Sequence, residues 1–125
     1  MKSESVRQRK LADQIKKQVS QIIDRKLKDP RKGLVTLTHV RVSGDLRIAF
    51  IYYTVLGDQE KREQSQEALD SATNFIRNEL APSLKMRFIP ELRFFYDESL
   101  DYSRHIEDIL KKIKHDEPDP DDGKE

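Results

Sequence analysis

Apolar residues between Leu11 and Leu27 recur at steps of three and four: Leu11, Ile15, Val19, Ile22, Ile23 and Leu27. That spacing predicts one amphipathic helix. Ser5 with Gln8 three residues on forms a capping box at its start, and the helix should run to about Lys28. Pro30 cannot continue it, and Gly33 supplies a turn. Leu34–Val42, rich in Val, Thr and Leu, predicts a strand whose alternation slips between Leu37 and Val40, as a bulge near His39 would produce. Ser43-Gly44-Asp45 reads as a short hairpin turn, and Leu46–Leu56 as a second strand. This strand is apolar on both faces around Ile48, Ala49, Phe50 and Ile51, which predicts a central position.

Gly57 stops that strand and Asp58 caps the next helix, whose first half, Gln59–Glu67, is very polar. In Ala68–Arg87 an apolar face returns with Leu69, Ala72, Phe75, Ile76, Leu80 and Leu84. Ala72-Thr73-Asn74 crosses it with small or turn-tolerant residues, and Asn74 can act as an N-cap. The expectation is two helices meeting at a kink whose freed amides, with Arg77 beside them, could seat a phosphate. An ordinary amphipathic helix with one weak turn fits the same spacing. Pro82 should bend or interrupt the part after the kink. Phe88–Tyr96 predicts a third strand, irregular where Pro90 falls. Tyr102, Ile106, Ile109, Leu110 and Ile113 mark a last amphipathic helix to about His115, and a disordered acidic end follows.

The fold class is therefore α+β, with the order α-β-β-α-kink-α-β and a three-stranded mixed sheet, the second strand central and parallel to the third. That is the topology of a type II K-homology (KH) fold, which binds nucleic-acid backbone at the turn between paired helices. The expected divisions are a KH-like RNA-binding domain over 1–97, an appended helix over 98–115 and the tail over 116–125.

Charge sharpens this. The chain has 125 residues and a net charge of +1, but Met1–Gly33 holds eleven Lys/Arg against four Asp/Glu. The ten residues from Asp116 hold one against six. A basic third of this kind points to a polyanionic partner. On the first helix Arg7, Lys10, Gln14, Lys17, Gln21, Arg25 and Lys28 share the polar face with no carboxylate among them, a column able to follow a phosphate backbone or simply to meet water.

Other chemistry is poorly provided for. No cysteine is present, which excludes disulfides, thiol catalysis and Cys-ligated zinc. No apolar run has membrane length and no signal-peptide core follows the N-terminus, so a cytoplasmic protein without membrane contact is expected. Asp101, His105 and Asp108 share a helix face, but without a second histidine they read as mixed surface charge. Asp97, Glu98 and Asp101 lack the shielding that would separate their pKa values for hydrolysis. His39 reads as a packed strand side chain, and the four scattered glycines build no nucleotide cradle. Enzyme function, cofactor, metal and small-molecule substrate are not expected. Tyr52, Tyr53, Phe94, Phe95 and Tyr96 could stack on bases, but core packing is the better reading of them.

Several stretches resemble the bacterial ribosome-binding factor A (RbfA) family. They are Arg7 through Lys28-Asp29-Pro30-Arg31, Val40-Arg41-Val42-Ser43-Gly44-Asp45-Leu46, Ala72-Thr73-Asn74-Phe75-Ile76-Arg77, and Arg87-Phe88-Ile89-Pro90-Glu91-Leu92-Arg93-Phe94-Phe95-Tyr96-Asp97. The resemblance covers roughly Val6 to Leu100. It implies an assembly factor that binds the immature small (30S) ribosomal subunit, assists maturation of 16S rRNA and has a role in growth at low temperature. It also implies an Ala-x-Gly kink between two helices, where Ala72 matches the alanine and Asn74 stands in place of the glycine.

Together these readings predict a monomeric, non-catalytic module. Arg7, Lys10, Lys17, Arg25, Lys28, Arg31 and Lys32 would touch RNA phosphates. Ala72, Thr73 and Asn74 would offer backbone amides, with Arg77, Lys85 and Arg87 beside them. The alternative is a protein–protein adaptor docking through Tyr102–Ile113.

Overall fold

The computed structural model describes residues 4–99 and Leu110. The described elements run α1 (Val6–Lys26), β1 (Leu34–Val42), β2 (Ile48–Leu56), α2 (Gln59–Leu84) and β3 (Glu91–Tyr96). The last-helix reading over 98–115 and its Asp101, His105, Asp108 cluster lie outside the described residues apart from Glu98, Ser99 and Leu110, and the tail over 116–125 lies wholly outside them.

Local chemistry sets the helix starts. The Ser5 hydroxyl accepts from the Gln8 amide at 3.1 Å, and the Gln8 side chain accepts from the Ser5 amide at 2.9 Å, closing the capping box. Asp58 caps α2 by accepting from the Lys61 amide at 2.9 Å.

The sheet order is β1-β2-β3, with β1/β2 antiparallel and β2/β3 parallel. The ladder between β1 and β2 shifts register between Leu37 and His39, the bulge that the broken alternation predicts. β2 begins at Ile48, two residues later than predicted, because the connection is a full loop. In it the Leu46 amide donates to the Ser43 carbonyl at 2.9 Å, and Leu46 takes a left-handed φ of 63°. β3 begins at Glu91, not Phe88, since Pro90 cannot donate to a ladder and pairing opens with the Glu91 amide on the Arg47 carbonyl at 2.8 Å.

Both helices pack on one face of the sheet. Ile15, Val19 and Ile23 of α1 and Leu69, Ile76 and Leu80 of α2 are buried there against Val40, Val42, Ala49, Ile51, Tyr53, Leu92 and Phe94. The Tyr53 hydroxyl donates to the Gln66 side-chain oxygen, and Gln66 donates on to the Phe94 carbonyl at 3.1 Å, so this buried phenol is satisfied. Burial, then the carboxylate of Asp70, pushes the Tyr53 phenol up to about 12. Gly33 sits where α2 crosses the start of β1: a Cβ there would lie 2.9 Å from Val55 Cγ1, and its amide donates to the buried Ser65 hydroxyl at 2.9 Å.

Two expectations need correction. α2 is one continuous helix through Thr73, so Ala72-Thr73-Asn74 does not divide it into two helices and frees no amides. Thr and Asn lower helix propensity by roughly 0.7 kcal/mol each relative to Ala. Burying Leu69, Ile76 and Leu80 on the same face contributes about 2 kcal/mol apiece and outweighs it. Thr73 keeps its hydroxyl within the helix, donating to the Leu69 carbonyl at 2.9 Å, and Ala72 is buried. Pro82 sits in the last turn, where α2 ends two residues later at Leu84, with Lys85 in the left-handed region at φ 53°.

The other correction concerns the aromatics. Tyr53 and Phe94 are core residues and the Tyr96 ring meets Tyr53 edge-on at 5.7 Å, but Tyr52 and Phe95 point to the opposite face of the sheet. No described element covers that face.

Candidate nucleic-acid interface

Three segments distant in sequence meet at one end of the sheet: the first turn of α1, the β1–β2 loop and the stretch after α2. They enclose a cleft of about 780 Å³ lined by Ser5, Arg7, Gly44, Asp45, Leu46, Arg47, Lys85, Met86, Arg87 and Phe88. Four of these are cations and one is a carboxylate.

Each cation is placed by local bonding. The Ser43 hydroxyl accepts from the amides of Arg47 at 3.2 Å and Ile48 at 3.0 Å. It donates to Asp45 at 2.7 Å, and Asp45 also accepts from the Arg47 amide at 3.1 Å. The Ser43 hydroxyl, then that amide, hold the Asp45 carboxyl below its ordinary value. Both bonds fall on Asp45 Oδ1, and the Arg47 guanidinium, whose charge also helps to lower the Asp45 carboxyl, lines the cleft beside the Phe88 ring. After α2, the Arg77 guanidinium donates to the carbonyls of Pro90 at 3.1 Å and Ile89 at 2.7 Å, pinning the segment that carries Lys85, Arg87 and Phe88. Phe88 is 65% exposed, with Arg47 Cζ 5.8 Å and Arg87 Cζ 5.5 Å from its ring centre. Leu46 and Lys85, the described non-glycine residues with positive φ, both line this cleft. Left-handed backbone is uncommon for such side chains and gathers at functional sites.

The predicted phosphate-contact residues divide around this cleft. Arg7, Lys85 and Arg87 come together in it. Lys10 and Lys17 are exposed farther along α1, and the same polar side is tied to α2 where Gln14 Nε2 donates to the Ser83 carbonyl at 2.6 Å. Arg25 lies about 27 Å from Arg7 along the helix at the usual rise, and Lys28, Arg31 and Lys32 follow at that far end. Arg31 is held by Asp29 through Nη2 at 2.7 Å and Nε at 3.1 Å, with Glu67 at 3.9 Å. The same bonds from Arg31 hold Asp29 down at about 2.

Ala72, Thr73 and Asn74 stay within α2, about 16 Å along the helix from Lys85 at its nearest. Arg77 acts as the clamp just described, its donors engaged with carbonyls. Asp97, weighed as a catalytic carboxylate, accepts from the hydroxyls of Ser99 and Thr38, both at 2.6 Å, and closes a turn.

Arg47 and Phe88 belong to the cleft without standing out in the sequence. Arg47 lies in what reads as the start of a strand, and Phe88 reads as a strand residue. The signal available for Phe88 is Pro90, which predicts an irregular entry to the third strand; Arg47 has none.

Comparison with known proteins agrees with this architecture. The family model described as ribosome-binding factor A matches residues 7–110. Ribosome-binding factor A of Macrococcus caseolyticus is 43% identical over 112 residues, covering 90% of this chain and 98% of that protein. The crystal structure of ribosome-binding factor A from Thermus thermophilus superimposes with a TM-score of 0.66 at 28% identity, covering 74% of this chain and 97% of that one. A homology model of the Thermus thermophilus protein, fitted into the cryo-EM map of a 30S–RbfA complex, matches with a TM-score of 0.59 at 29% identity, covering 70% of this chain and 91% of that one. With its fold, the order of its motifs and nearly its whole described length accounted for, the chain belongs to the ribosome-binding factor A family.

Proposed function

We propose that this protein is a non-catalytic assembly factor of the small ribosomal subunit that grips RNA backbone in the cleft of Arg7, Arg47, Lys85 and Arg87. It binds immature 30S particles, assists maturation of 16S rRNA and sustains growth in the cold. The observation that carries the reading is a cleft lined by four cations, two of which, Arg47 and Arg87, lie beside an exposed aromatic ring. It has a single carboxylate in the lining, itself hydrogen-bonded within its own loop. Guanidinium and ammonium groups neutralise phosphates, and a ring beside them offers an unpaired base a face to stack on. Lys10 and Lys17 extend the positive surface along α1 for a backbone continuing out of the cleft. Selectivity follows from the shape of folded RNA more than from base edges. Membership of the family, and the fitting of the Thermus thermophilus relative into a 30S–RbfA complex, support the partner.

The test is crosslinking of the protein to ribosomal RNA in cell extract, followed by mapping of the crosslinked peptides. Crosslinks at Arg7, at Arg47 and within Lys85–Phe88 are expected. Crosslinks confined to peptides after Ser99, or to protein partners alone, would overturn the proposal in favour of an adaptor docking through Tyr102–Ile113.

A further inference from the structure

The outer face of the sheet carries a second pattern that the cleft does not use. His39, Tyr52 and Phe95 are register partners in one row across the three strands. The His39 and Tyr52 rings lie 6.1 Å apart and the Tyr52 and Phe95 rings 5.6 Å apart. In the next outward row Phe50 sits between Arg41 and Arg93, 6.3 Å from Phe95 and with Arg41 Cζ 4.6 Å from its own ring centre. Solvent-facing strand positions are ordinarily polar. Here the middle of the face is aromatic, Phe95 is 41% exposed, and both helices pack on the other side.

We propose that this face is a stacking platform for unpaired RNA bases, a second contact surface beside the cleft; it rests on the RNA-binding reading above. A ligand suited to rings flanked by guanidinium groups has flat π faces and negative charge, which an unpaired nucleotide supplies. Base-paired RNA keeps its base faces stacked inside the helix and cannot present them. Arg93 is paired with Glu91 at 2.7 Å, whereas Arg41 meets the Phe50 ring and no carboxylate among the described residues. The platform is also reachable from the cleft. A hollow of about 340 Å³ lined by Glu4, Gln8, His39, Arg41 and Gly44, among others, adjoins it, and Gly44 lines both. A strand leaving the cleft can therefore pass onto the sheet. Among the described residues none outside the strands is recorded against these rings, and Leu110 is 57% exposed.

The test uses the full chain and two labelled probes, a short unstructured single-stranded RNA and a duplex of equal length, with binding followed by fluorescence anisotropy. Phe95→Leu and Tyr52→Leu keep apolar volume but remove the π face, and unchanged thermal midpoints confirm that both fold. Each is expected to weaken single-strand binding about tenfold, to leave duplex binding nearly unaltered, and to leave the dependence on salt unchanged. Phe95→Tyr is expected to restore wild-type affinity. Unaltered single-strand binding by both Leu variants, with Arg47→Glu still weakening it, overturns the platform and leaves the cleft standing. If Arg47→Glu is also without effect, the RNA-binding reading falls with it. Should Leu110→Glu tighten single-strand binding and shift the Phe95 ring resonances without RNA, the face belongs to the last helix and the proposal is wrong.

Discussion

The two ends of α1 carry comparable numbers of cations and differ in what faces them. At its start Arg7 meets Arg47, Lys85 and Arg87 across a cleft whose one carboxylate, Asp45, is bonded to the Ser43 hydroxyl and the Arg47 amide. At its end Lys26 pairs with Glu79 at 2.6 Å, and Arg31 with Asp29 at 2.7 Å and Glu67 at 3.9 Å. Formal charge alone would rank the two ends alike. The potential seen by a polyanion depends on charge focused in a concave surface, and the cleft that gathers four cations lies at the first end. This holds although Arg9 there pairs with Glu4, and Arg25 and Lys28 at the other end meet no carboxylate among the described residues. A run of Lys and Arg in a sequence therefore marks a possible partner but not the place where it sits.

Charge reversal should separate the two ends most sharply. Arg47→Glu with Arg87→Glu is expected to weaken association with immature small subunits by roughly a hundredfold or more at about 0.1 M salt. Arg25→Glu with Lys28→Glu should weaken it only a few fold in the same sedimentation assay. Equal losses would erase the contrast.

Next in size is the clamp behind the cleft. Arg77→Met removes donors to the Ile89 and Pro90 carbonyls and is expected to lower stability by about 2 kcal/mol in denaturant titration. RNA affinity should fall as well, because Lys85–Phe88 loses its anchor. Full affinity in this variant would show that the segment needs no pinning.

Asn74→Ala gives a smaller effect whose sign is informative. In a continuous helix it raises stability by about 0.7 kcal/mol. At a kink capped by Asn74 it would lower stability by about 1 kcal/mol.

The smallest effect lies at the far end and depends on pH. The Asp29 carboxyl is held at about 2, against an ordinary 3.8, chiefly by its hydrogen bonds from Arg31. Its folded value lies below its unfolded one, so its contribution to stability is fully present above 3.8 and fades as pH falls toward about 2. Asp29→Asn should flatten the thermal midpoint over that interval and make Arg31 available to anions. A midpoint with the same acid dependence in both proteins would remove Asp29 from the explanation.

Much of this fold can be read from residues near one another in the chain. The Ser5–Gln8 capping box, the Asp58 cap, the bulge beside His39 and the central position of β2 all follow from local pattern. The continuity of α2 does not, since burial of Leu69, Ile76 and Leu80 in the shared core overrides weak helix formers at Thr73 and Asn74. The outward aromatics are hidden for a related reason. β2 is apolar at both parities, and period-two alternation cannot then reveal which face stays open. At the cleft, Arg7 is legible from its helix face and Lys85 and Arg87 from their charge. Arg47 and Phe88 become functional candidates only when the β1–β2 loop and the stretch after α2 come together across about forty residues of chain. Arg77 reads as a phosphate ligand because its charge is visible in sequence while the carbonyls it holds are not.

The decisive measurement is the salt dependence of binding to immature small subunits for the wild type and for a variant with Arg7, Arg47, Lys85 and Arg87 all changed to Gln. Every phosphate left without its cation flattens the plot of log affinity against log salt by about 0.7 to 0.9. The variant is expected to be shallower by about 3 and weaker at every salt concentration. An unchanged slope with unchanged affinity would mean that the cleft meets no phosphate.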